Sequence, residues 1–299
     1  MTDITTLPNL QDSDLLLTEL FEEVQKWEGT LSSRGELGRG AAAVQSLMET
    51  KVSFGNPNDK LILLTEKTFK EVGVELNSIY RQQMRDTYDF YYMTVTVDLR
   101  PKASAKFWCL FCKLEFSSRA GNEPIIQPIF PESKWRPVMK LGVGINLGVN
   151  ENLEFSAGLD TSTFAELANI PDIKASVSTK NELKAFIAIP DYTYKGGFFE
   201  LFAQGPGSSE CFWRIEAPDI QQMPTVKFAI VFKVPKQCKS INLDGTVWAE
   251  ANMDWLFADM HDVASEFKEK FKNLFKRKNE AAKELSRGDK KEWTLNLPK

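Results

Sequence analysis

Residues 90–116 read FYYMTVTVDLRPKASAKFWCLFCKLEF, which is the strongest strand signal in the chain. β-Branched and aromatic residues dominate both halves of the stretch, and these residue types favour strands. Arg100, Pro101 and Lys102 interrupt the run, because proline and clustered charge favour a turn. The pattern predicts two strands joined as a β-hairpin. Residues 226–234 and 240–251 repeat the arrangement around Pro235-Lys236 and predict a second hairpin of the same kind.

Two more hairpins are predicted between these pairs. Residues 140–160 alternate between apolar side chains and glycine or polar residues. Val143, Ile145 and Leu147 share one face, and Phe155 continues that face after a turn at 150–152. Period-two alternation of this kind indicates a strand with one covered face. A weaker alternation predicts the other hairpin at 172–190.

Shorter segments extend this block of strands. Residues 72–76, 196–202 and 212–216 are predicted as strands, whereas 60–65 fits either a strand or a helical turn. Four prolines between 117 and 138 predict an extended crossing that stays out of a sheet interior.

Helices are predicted towards both ends of the chain. From Ser13 or Asp14 to about residue 28, apolar residues recur at three- and four-residue spacing, and Gly29 can end the helix. Residues 41–50 predict a second, short helix. One long helix is predicted over 258–286, with Gly288 as its terminator and a tail that holds Trp293.

Strands in one block without alternating helices favour packed antiparallel sheets over a parallel α/β sheet. We predict a mainly β or α+β protein with an antiparallel β-sandwich-like core and amphipathic helices at the N- and C-terminus. The predicted divisions are an N-terminal helical segment at 1–58, a β core at 59–257 and a basic amphipathic helix with its tail at 258–299. The core could comprise two sub-sheets, 59–138 and 139–257.

Composition and charge exclude several classes of protein. The chain has 299 residues, of which 42% are hydrophobic and 26% charged, as in a globular protein with a buried core. A net charge of −4 argues against a nucleic-acid binder. The first residues lack the basic and apolar regions of a secretory signal, and no apolar run reaches the ~18 residues of a spanning helix. A cytoplasmic protein, with or without peripheral membrane contact, is expected.

The few residues suited to catalysis or metal binding do not form a recognisable set. His261 is the single histidine, which excludes any site that needs two imidazoles, and we predict a surface or capping role for it. Cys109 and Cys112 lie three residues apart on a predicted strand, so their side chains point to opposite faces. A zinc or redox pair needs both sulfurs on one side, and we therefore predict buried thiols.

A glycine pattern before the second helix resembles a phosphate-binding loop at first sight. Gly35, Gly38 and Gly40 precede that helix, but no strand leads into them and the spacing is not that of a dinucleotide fingerprint. We predict a linker. No catalytic, metal or cofactor-binding residue is predicted, and no cofactor.

The predicted C-terminal helix combines an aromatic stripe with a basic face. Residues 268–291 contain ten basic and four acidic residues, a net charge of +6. Basic amphipathic helices of this kind lie on anionic membranes or on acidic partners. The alternative is a helix that packs its Phe stripe onto the protein's own sheet and leaves its lysines in solvent. The candidate membrane or partner surface comprises Phe267, Lys268, Phe271, Lys272, Phe275, Lys276, Arg277 and Lys278.

The expected function is that of a non-catalytic binding or assembly protein that acts through a protein partner, self-association or an anionic membrane surface. The alternative is a conditional pore-former, because hairpin 140–160 has the strand length and the dyad pattern of a membrane-crossing hairpin. In that case it would insert with hairpin 172–190, and Val143, Ile145, Leu147 and Phe155 would meet lipid. A hydrolase of unknown substrate is the third hypothesis.

Overall fold

Two five-stranded antiparallel sheets, packed face to face, hold the core of the protein in a computed structural model that describes residues 7–31, 38–67, 78–102, 105–117, 123–130, 200–217 and 220–299. The strands are β1 (Lys51–Phe54), β2 (Leu61–Leu64), β3 (Tyr88–Arg100), β4 (Phe107–Ser117), β5 (Ile125–Phe130), β6 (Glu200–Gln204), β7 (Glu210–Glu216), β8 (Thr225–Pro235), β9 (Ser240–Ala251) and β10 (Arg287–Asn296). The helices are α1 (Leu10–Leu31), α2 (Arg39–Met48), α3 (Ser78–Asp86), α4 (Met253–Met260), α5 (Glu269–Lys276) and α6 (Lys278–Glu284). The predicted class, a β or α+β protein with an antiparallel sandwich-like core, is confirmed.

Each sheet joins strands that are distant in the sequence. In sheet A, both β1 and β2 pair with β3, which pairs with β8, and β8 pairs with β5. Sheet B has the order β10-β9-β4-β7-β6. The segment 60–65, which fitted a strand or a helical turn, contains strand β2.

The two hairpins predicted at 90–116 and 226–251 are wrong in their pairing, although all four strands exist. β3 lies in sheet A and β4 in sheet B, so the chain crosses between the sheets at residues 101–106. β8 and β9 are divided in the same way at residues 236–239. The two crossings form arches, and the arches pair with each other: β3 with β8 and β4 with β9. Because both pairings are antiparallel, the crossings lie at opposite ends of the sandwich.

Aromatic side chains fill the space between the sheets. Phe116 of sheet B lies 4.7 Å from Phe232 of sheet A between ring centroids, and Trp213 of sheet B lies 4.8 Å from Phe228 of sheet A. All four side chains are buried, and burying a side chain of this size contributes roughly 1.5–3 kcal/mol. These contacts hold the sheets in register across the core.

Helices close one end of the sandwich. Leu20 and Val24 of α1, Val44 of α2 and Leu256 and Met260 of α4 belong to the same buried cluster as the facing sides of the sheets. The helices predicted at 13–28 and 41–50 are confirmed as α1 and α2, with slightly shifted ends. Asn9 starts α1 earlier than predicted, since its side-chain oxygen accepts a hydrogen bond from the backbone N–H of residue 11 at 3.2 Å.

The single helix predicted over 258–286 is wrong. This region holds the end of α4, a 3₁₀ turn at Ala264–Glu266, and the short helices α5 and α6. The predicted tail is strand β10, which pairs with β9 along its whole length. Trp293 of this strand packs edge-on against Phe54 at 5.2 Å between ring centroids and closes that side of the sandwich.

Several predicted elements lie outside the described residues. They are the strand at 72–76, the hairpins 140–160 and 172–190, and the part of the proline-rich crossing beyond residue 130. The described part of that crossing contains β5, which pairs with β8 at the border of sheet A.

Candidate functional site

The aromatic half of the predicted C-terminal surface lies inside the protein. Phe267, Phe271 and Phe275 are 2%, 1% and 6% exposed. The rings of Phe267 and Phe275 are 6.1 Å apart between centroids, and Phe257 of α4 packs on Phe275 at 4.7 Å. These phenylalanines are core residues in this structure and form no surface for lipid or a partner.

The basic half of the predicted surface is solvent-accessible, and most of it is neutralised locally. Lys268 pairs with Glu23 of α1 at 3.1 Å, and Lys278 pairs with Asp254 of α4 at 2.5 Å. The remaining ion pairs of the set are Lys276 with Glu269 and Arg277 with Glu280, while Lys272 is partly exposed. Amphipathic helices bind a membrane by inserting their apolar face as well as through their cations. Here the apolar stripe is buried, so an anionic membrane would contact the cations alone.

The candidate inserting residues Val143, Ile145, Leu147 and Phe155 lie outside the described residues. Among the described helices, none combines the length and the apolar character that crossing a bilayer requires.

The residues considered for catalysis are separated from one another. His261 follows α4 with its side chain 86% exposed, and Asp262 lies beside it at 3.5 Å. Cys109 and Cys112 are both fully buried on opposite faces of β4, as predicted. Burial raises the pKa of both thiols well above the ordinary value, which disfavours the reactive thiolate. Within the described ranges, no group of three or more His, Cys, Asp or Glu side chains could hold a metal ion.

The glycine pattern at the start of α2 binds a carboxylate of the protein itself. The side chain of Glu28, from α1, accepts hydrogen bonds from the backbone N–H groups of Gly40 at 2.7 Å and Ala41 at 3.0 Å. Helix N-termini attract anions through these unpaired N–H groups and through the helix dipole. An internal carboxylate thus occupies the position that the sequence suggested for a phosphate.

The strongest candidate surface is the outer face of sheet B, which carries a second, smaller cluster of apolar residues. Cys109, Phe111 and Trp248 are buried there, apart from the main core. The rings of Phe111 and Trp248 stack at 4.6 Å between centroids with an angle of 4°. Arg214 of the neighbouring strand places its guanidinium 5.8 Å from the ring centre of Phe111. Aromatic and guanidinium planes in this arrangement attract one another.

A β-bulge brings Trp108 to the border of this cluster. The register between β4 and β9 shifts between Phe107 and Cys109, so Trp108 is the extra residue. Its ring, partly exposed, packs against the outer cluster and lies 5.8 Å from the guanidinium of Arg214. Phe212 and Phe202 continue the row of partly exposed aromatic residues along β7 and β6. We call Trp108, Phe202, Phe212 and Arg214 the aromatic strip.

A groove of about 220 Å³ opens next to Trp108. It is bordered by the ends of β4 and β9, by α4 and by α6, and its lining residues are Trp108, Asn252, Met253, Asp254, Lys278, Asn279 and Ala282. The ion pair between Asp254 and Lys278 links α4 and α6 at this groove. The side-chain oxygen of Asn252 already has a partner inside the protein, since it accepts a hydrogen bond from the backbone N–H of Trp255 at 3.0 Å. We call this depression the Trp108 groove.

A buried carboxyl group lies on β9, two residues from Trp248 of the outer cluster and two from Asn252 of the groove lining. Glu250 is 6% exposed, and its Oε1 accepts a hydrogen bond from Nε1 of Trp248 at 3.4 Å. Burial raises the pKa of Glu250 to about 7, an effect reduced by the hydrogen bond from Trp248 and by the charges of Arg214 and Lys283.

The sequence analysis missed both the aromatic strip and Glu250. Glu250 alternates with buried alanines, so its side chain was expected in water on the outer face of a two-layer sandwich. The signal that could have revealed it is the near-continuous apolar run around it, from Val247 to Ala251, which is typical of a strand covered on both faces. The bulge at Trp108 has no local marker in the sequence, because it arises from pairing with β9.

Neither a family model nor a curated protein matches the chain. Among solved structures, a protein titled "Pore forming protein" shares 6% identity over 68% of this chain and 78% of that chain, with a TM-score of 0.31. Clostridium perfringens delta-toxin shares 10% identity over 68% and 78%, with a TM-score of 0.25. A collagen adhesin from S. aureus shares 9% identity over 71% and 44%, with a TM-score of 0.24. At these TM-scores the likenesses carry no argument about this chain.

Proposed function

We propose that the protein is a non-catalytic binding protein that holds a protein partner on the aromatic strip and the Trp108 groove. One observation carries the proposal: a partly exposed tryptophan, with an arginine against its ring, lines a groove. Tryptophan and arginine are the residues in which the binding energy of protein interfaces concentrates.

The size of the groove favours a side chain of a partner over a free cofactor. Pockets for drug-sized ligands occupy roughly 300–1,000 Å³. The Trp108 groove, at about 220 Å³, is smaller and suits one protruding side chain. The adjoining aromatic strip adds the flat, partly apolar area that the rest of a partner's surface can cover.

The chemical groups of the described residues favour binding over catalysis. His261 stands in solvent and does not line the groove, and burial raises the pKa of the Cys109 and Cys112 thiols. The hydrolase hypothesis would need Glu250 as its acid or base, but a substrate would first have to reach a side chain that is 6% exposed. A role in which Trp108 and Arg214 contact a partner needs no such rearrangement.

A selection experiment tests the proposal although the natural partner is unidentified. A random peptide library displayed on phage is selected on the full-length protein, and bound clones are screened against Trp108→Ser. We expect a family of related peptides that bind the wild-type protein and lose at least tenfold in affinity for the variant, because Trp108 is the anchor of the site. Absence of any enriched family, or equal binding to Trp108→Ser, contradicts the proposal.

Self-association, in which the partner is a second copy of the chain, is tested with the same variant. Sedimentation velocity over a hundredfold range of concentration measures whether the wild-type protein associates with itself. If association uses the aromatic strip, Trp108→Ser sediments as the smaller species at every concentration. Circular dichroism of the variant checks that its fold is retained, since Trp108 is partly buried.

The second candidate function is conditional membrane insertion by hairpins 140–160 and 172–190. The observation that favours it is the position of the flanking strands. β5 ends at Phe130 on one border of sheet A, β6 begins at Glu200 on one border of sheet B, and these two strands contact each other. The described strands on the two sides of the segment that carries both predicted hairpins are therefore in contact.

Dye-loaded anionic vesicles test this second candidate with a matched pair of variants. Ile145→Asp places a charge on the predicted lipid-facing side of the hairpin, and Asn146→Asp places the same charge on the opposite side. If the hairpin inserts, Ile145→Asp blocks dye release and Asn146→Asp retains most of it, because a charged side chain that faces hydrocarbon destabilises the inserted strand. Absence of release by the wild-type protein, or equal effects of the two substitutions, contradicts insertion.

A further inference from the structure

A row of carboxyl groups crosses the outer face of sheet B beside the aromatic strip. The four members are ladder partners on neighbouring strands: Glu292 of β10, Asp244 of β9, Glu115 of β4 and Glu210 of β7. Their chain neighbours Leu243, Leu114 and Cys211 belong to the main core, so the carboxyl groups point away from it. Asp244 is partly exposed and the other three are exposed. We call these four residues the acidic row.

The acidic row is continuous with the aromatic strip. Glu210 lies two residues before Phe212 along β7, and residues two apart on a strand project from the same face about 7 Å from each other. On β4, Glu115 shares its face with Phe111 of the outer cluster. Trp108 lies near the other end of β4, roughly 23 Å from Glu115 along the strand. An extended segment of about seven residues therefore reaches from the Trp108 groove to the acidic row.

Half of the acidic row carries charge that no described residue neutralises through an ion pair. Lys113 bridges Glu115 and Glu210, with its Nζ 3.2 Å and 2.9 Å from their carboxylate oxygens. Asp244 and Glu292 form no ion pair with any residue that the structure describes. Burial raises the pKa of Asp244, and the charges of Glu292 and Glu115 raise it further, against the opposing charge of a lysine on β10. This side of sheet B therefore presents negative potential to solvent.

The acidic row is unfavourable for the sheet itself. Like charges directly opposite each other on neighbouring strands destabilise a sheet, whereas opposite charges at the same positions stabilise it. Asp244 has a carboxylate on either side, from Glu292 and from Glu115. Departures of this kind from the rules of stable folding are expected at functional sites. The row is therefore suited to a cationic partner that supplies the missing opposite charges.

We infer that the partner of the aromatic strip is a basic segment of a protein, which places lysine or arginine side chains on the acidic row and an apolar side chain in the Trp108 groove. The inference rests on the proposed binding function and adds the chemistry of the partner. Cations of the partner neutralise Asp244 and Glu292 and so remove the repulsion along the row. A cation that reaches Phe212 also gains the attraction between a positive charge and an aromatic face.

Two fluorescein-labelled peptides of equal length test the charge of the partner. In one peptide lysine alternates with phenylalanine and serine, and in the other glutamate replaces every lysine. Fluorescence anisotropy measures their binding to the full-length protein. The lysine peptide should bind at low salt and the glutamate peptide should not. The affinity for the lysine peptide should fall at about 1 M salt, where charges are screened beyond about 3 Å. Absence of binding by the lysine peptide, or equal binding of the two, overturns the inference.

Two double variants with the same change of net charge locate the binding. Asp244→Asn with Glu292→Gln removes the unpaired charges of the acidic row, and Asp262→Asn with Glu22→Gln removes the same groups from exposed positions outside sheet B. The row variant should bind the lysine peptide about fivefold more weakly, the loss expected for two exposed ion pairs, while the control stays within about twofold. Equal affinities of the two double variants would show that the peptide does not use the acidic row.

Urea unfolding of the row variant gives an independent check. Its midpoint should rise, because the substitutions relieve the repulsion between neighbouring strands. A lower midpoint would show that these carboxyl groups stabilise the sheet and would contradict the inference.

Trp108→Ser separates the failure of this inference from the failure of the proposed function. Weaker binding of the lysine peptide to both the row variant and Trp108→Ser supports both. An effect of Trp108→Ser alone overturns the inference and retains the proposed function. An effect of the row variant alone retains the acidic row as a surface for basic segments and contradicts the role proposed for the aromatic strip.

Discussion

Glu28 illustrates how one side chain can fix the relation of two helices. Its carboxylate accepts hydrogen bonds from the backbone N–H groups of Gly40 and Ala41 at the start of α2, twelve and thirteen residues further along the chain. A Cβ atom at Gly38 would lie 2.3 Å from Cδ of Glu28, so the glycine makes room for the carboxyl group. The glycine pattern in the sequence therefore reflects a close approach between helices, not a ligand.

This contact makes a specific prediction for stability. Glu28→Ala should lower the free energy of unfolding by about 1–2 kcal/mol, because two N–H groups lose a charged acceptor. Glu22→Ala removes an exposed carboxylate from the same helix and should change it by less than about 0.5 kcal/mol. Urea unfolding of the two variants gives the comparison. Equal effects would show that the contact between α1 and α2 adds nothing to stability.

At the residue scale, the sequence predicted alternation well and burial by distant elements poorly. The opposite faces of Cys109 and Cys112 follow directly from the two-residue period of a strand. Glu250 is buried, and its carboxyl lies close enough to Arg214 of β7 and Lys283 of α6 for their charges to act on it. No local pattern encodes that contact, so the residue with the most shifted carboxyl pKa of the site was missed.

The two arches show that local sequence also fails to determine how whole strands are connected. A strand, a short connection that contains proline and a second strand fit a hairpin or an arch equally well in local composition. The connection at 101–106 lacks the Asn-Gly or Asp-Gly pair that marks tight hairpins, and six residues can reach across the ~10 Å between stacked sheets. The choice is made by β8 and β9, which pair with β3 and β4 from more than one hundred residues away.

One double variant distinguishes the arch from the hairpin. In the structure Asp98 is the ladder partner of Thr225, and ladder partners come within the range that a disulfide can bridge. In a hairpin closed by residues 101–106, position 98 would instead face Cys109. Asp98→Cys combined with Thr225→Cys should therefore form a disulfide between 98 and 225 on mild oxidation. Peptide mapping without reduction reads the result, and a disulfide between 98 and 109 would contradict the arch.

The C-terminal region was predicted as one helix because its phenylalanines keep a helical spacing without a proline or glycine to stop them. The structure interrupts it through long-range contacts. Glu23 of α1 accepts a hydrogen bond from the backbone N–H of Lys268 at 3.0 Å, immediately before α5 begins. Arg277 separates α5 from α6 with a non-helical backbone. Phe271 and Phe275 lie on one face of α5 and Phe267 precedes that helix, and all three pack into the protein's own core.

At the scale of the whole molecule, the sequence predicted the class of fold and left the order of strands undetermined. Strands in one block indicated packed antiparallel sheets, and the structure has them. Which strand lies beside which depends on register across the two arches, and that information is spread over β3, β4, β8 and β9. The aromatic strip is a product of this order, because β4 and β7 are adjacent in sheet B although they lie about one hundred residues apart.

The same order places three distant segments around the Trp108 groove: the start of β4, the start of α4 and the start of α6. Two acidic residues near α4 provide a matched test of its role. Asp254 lines the groove, whereas Asp262 follows the helix and is 95% exposed beside His261. Reversing either charge changes the net charge of the protein equally, so only a local effect can separate them.

The dissociation constant of a selected peptide, measured by calorimetry on the wild-type protein and on Asp254→Lys and Asp262→Lys, tests the central claim most directly. If the partner occupies the Trp108 groove, Asp254→Lys changes the dissociation constant at least fivefold, because it breaks the ion pair with Lys278 at the binding site. Asp262→Lys then stays within twofold of the wild-type value. Equal affinities for all three proteins would show that the partner binds elsewhere and would contradict the account.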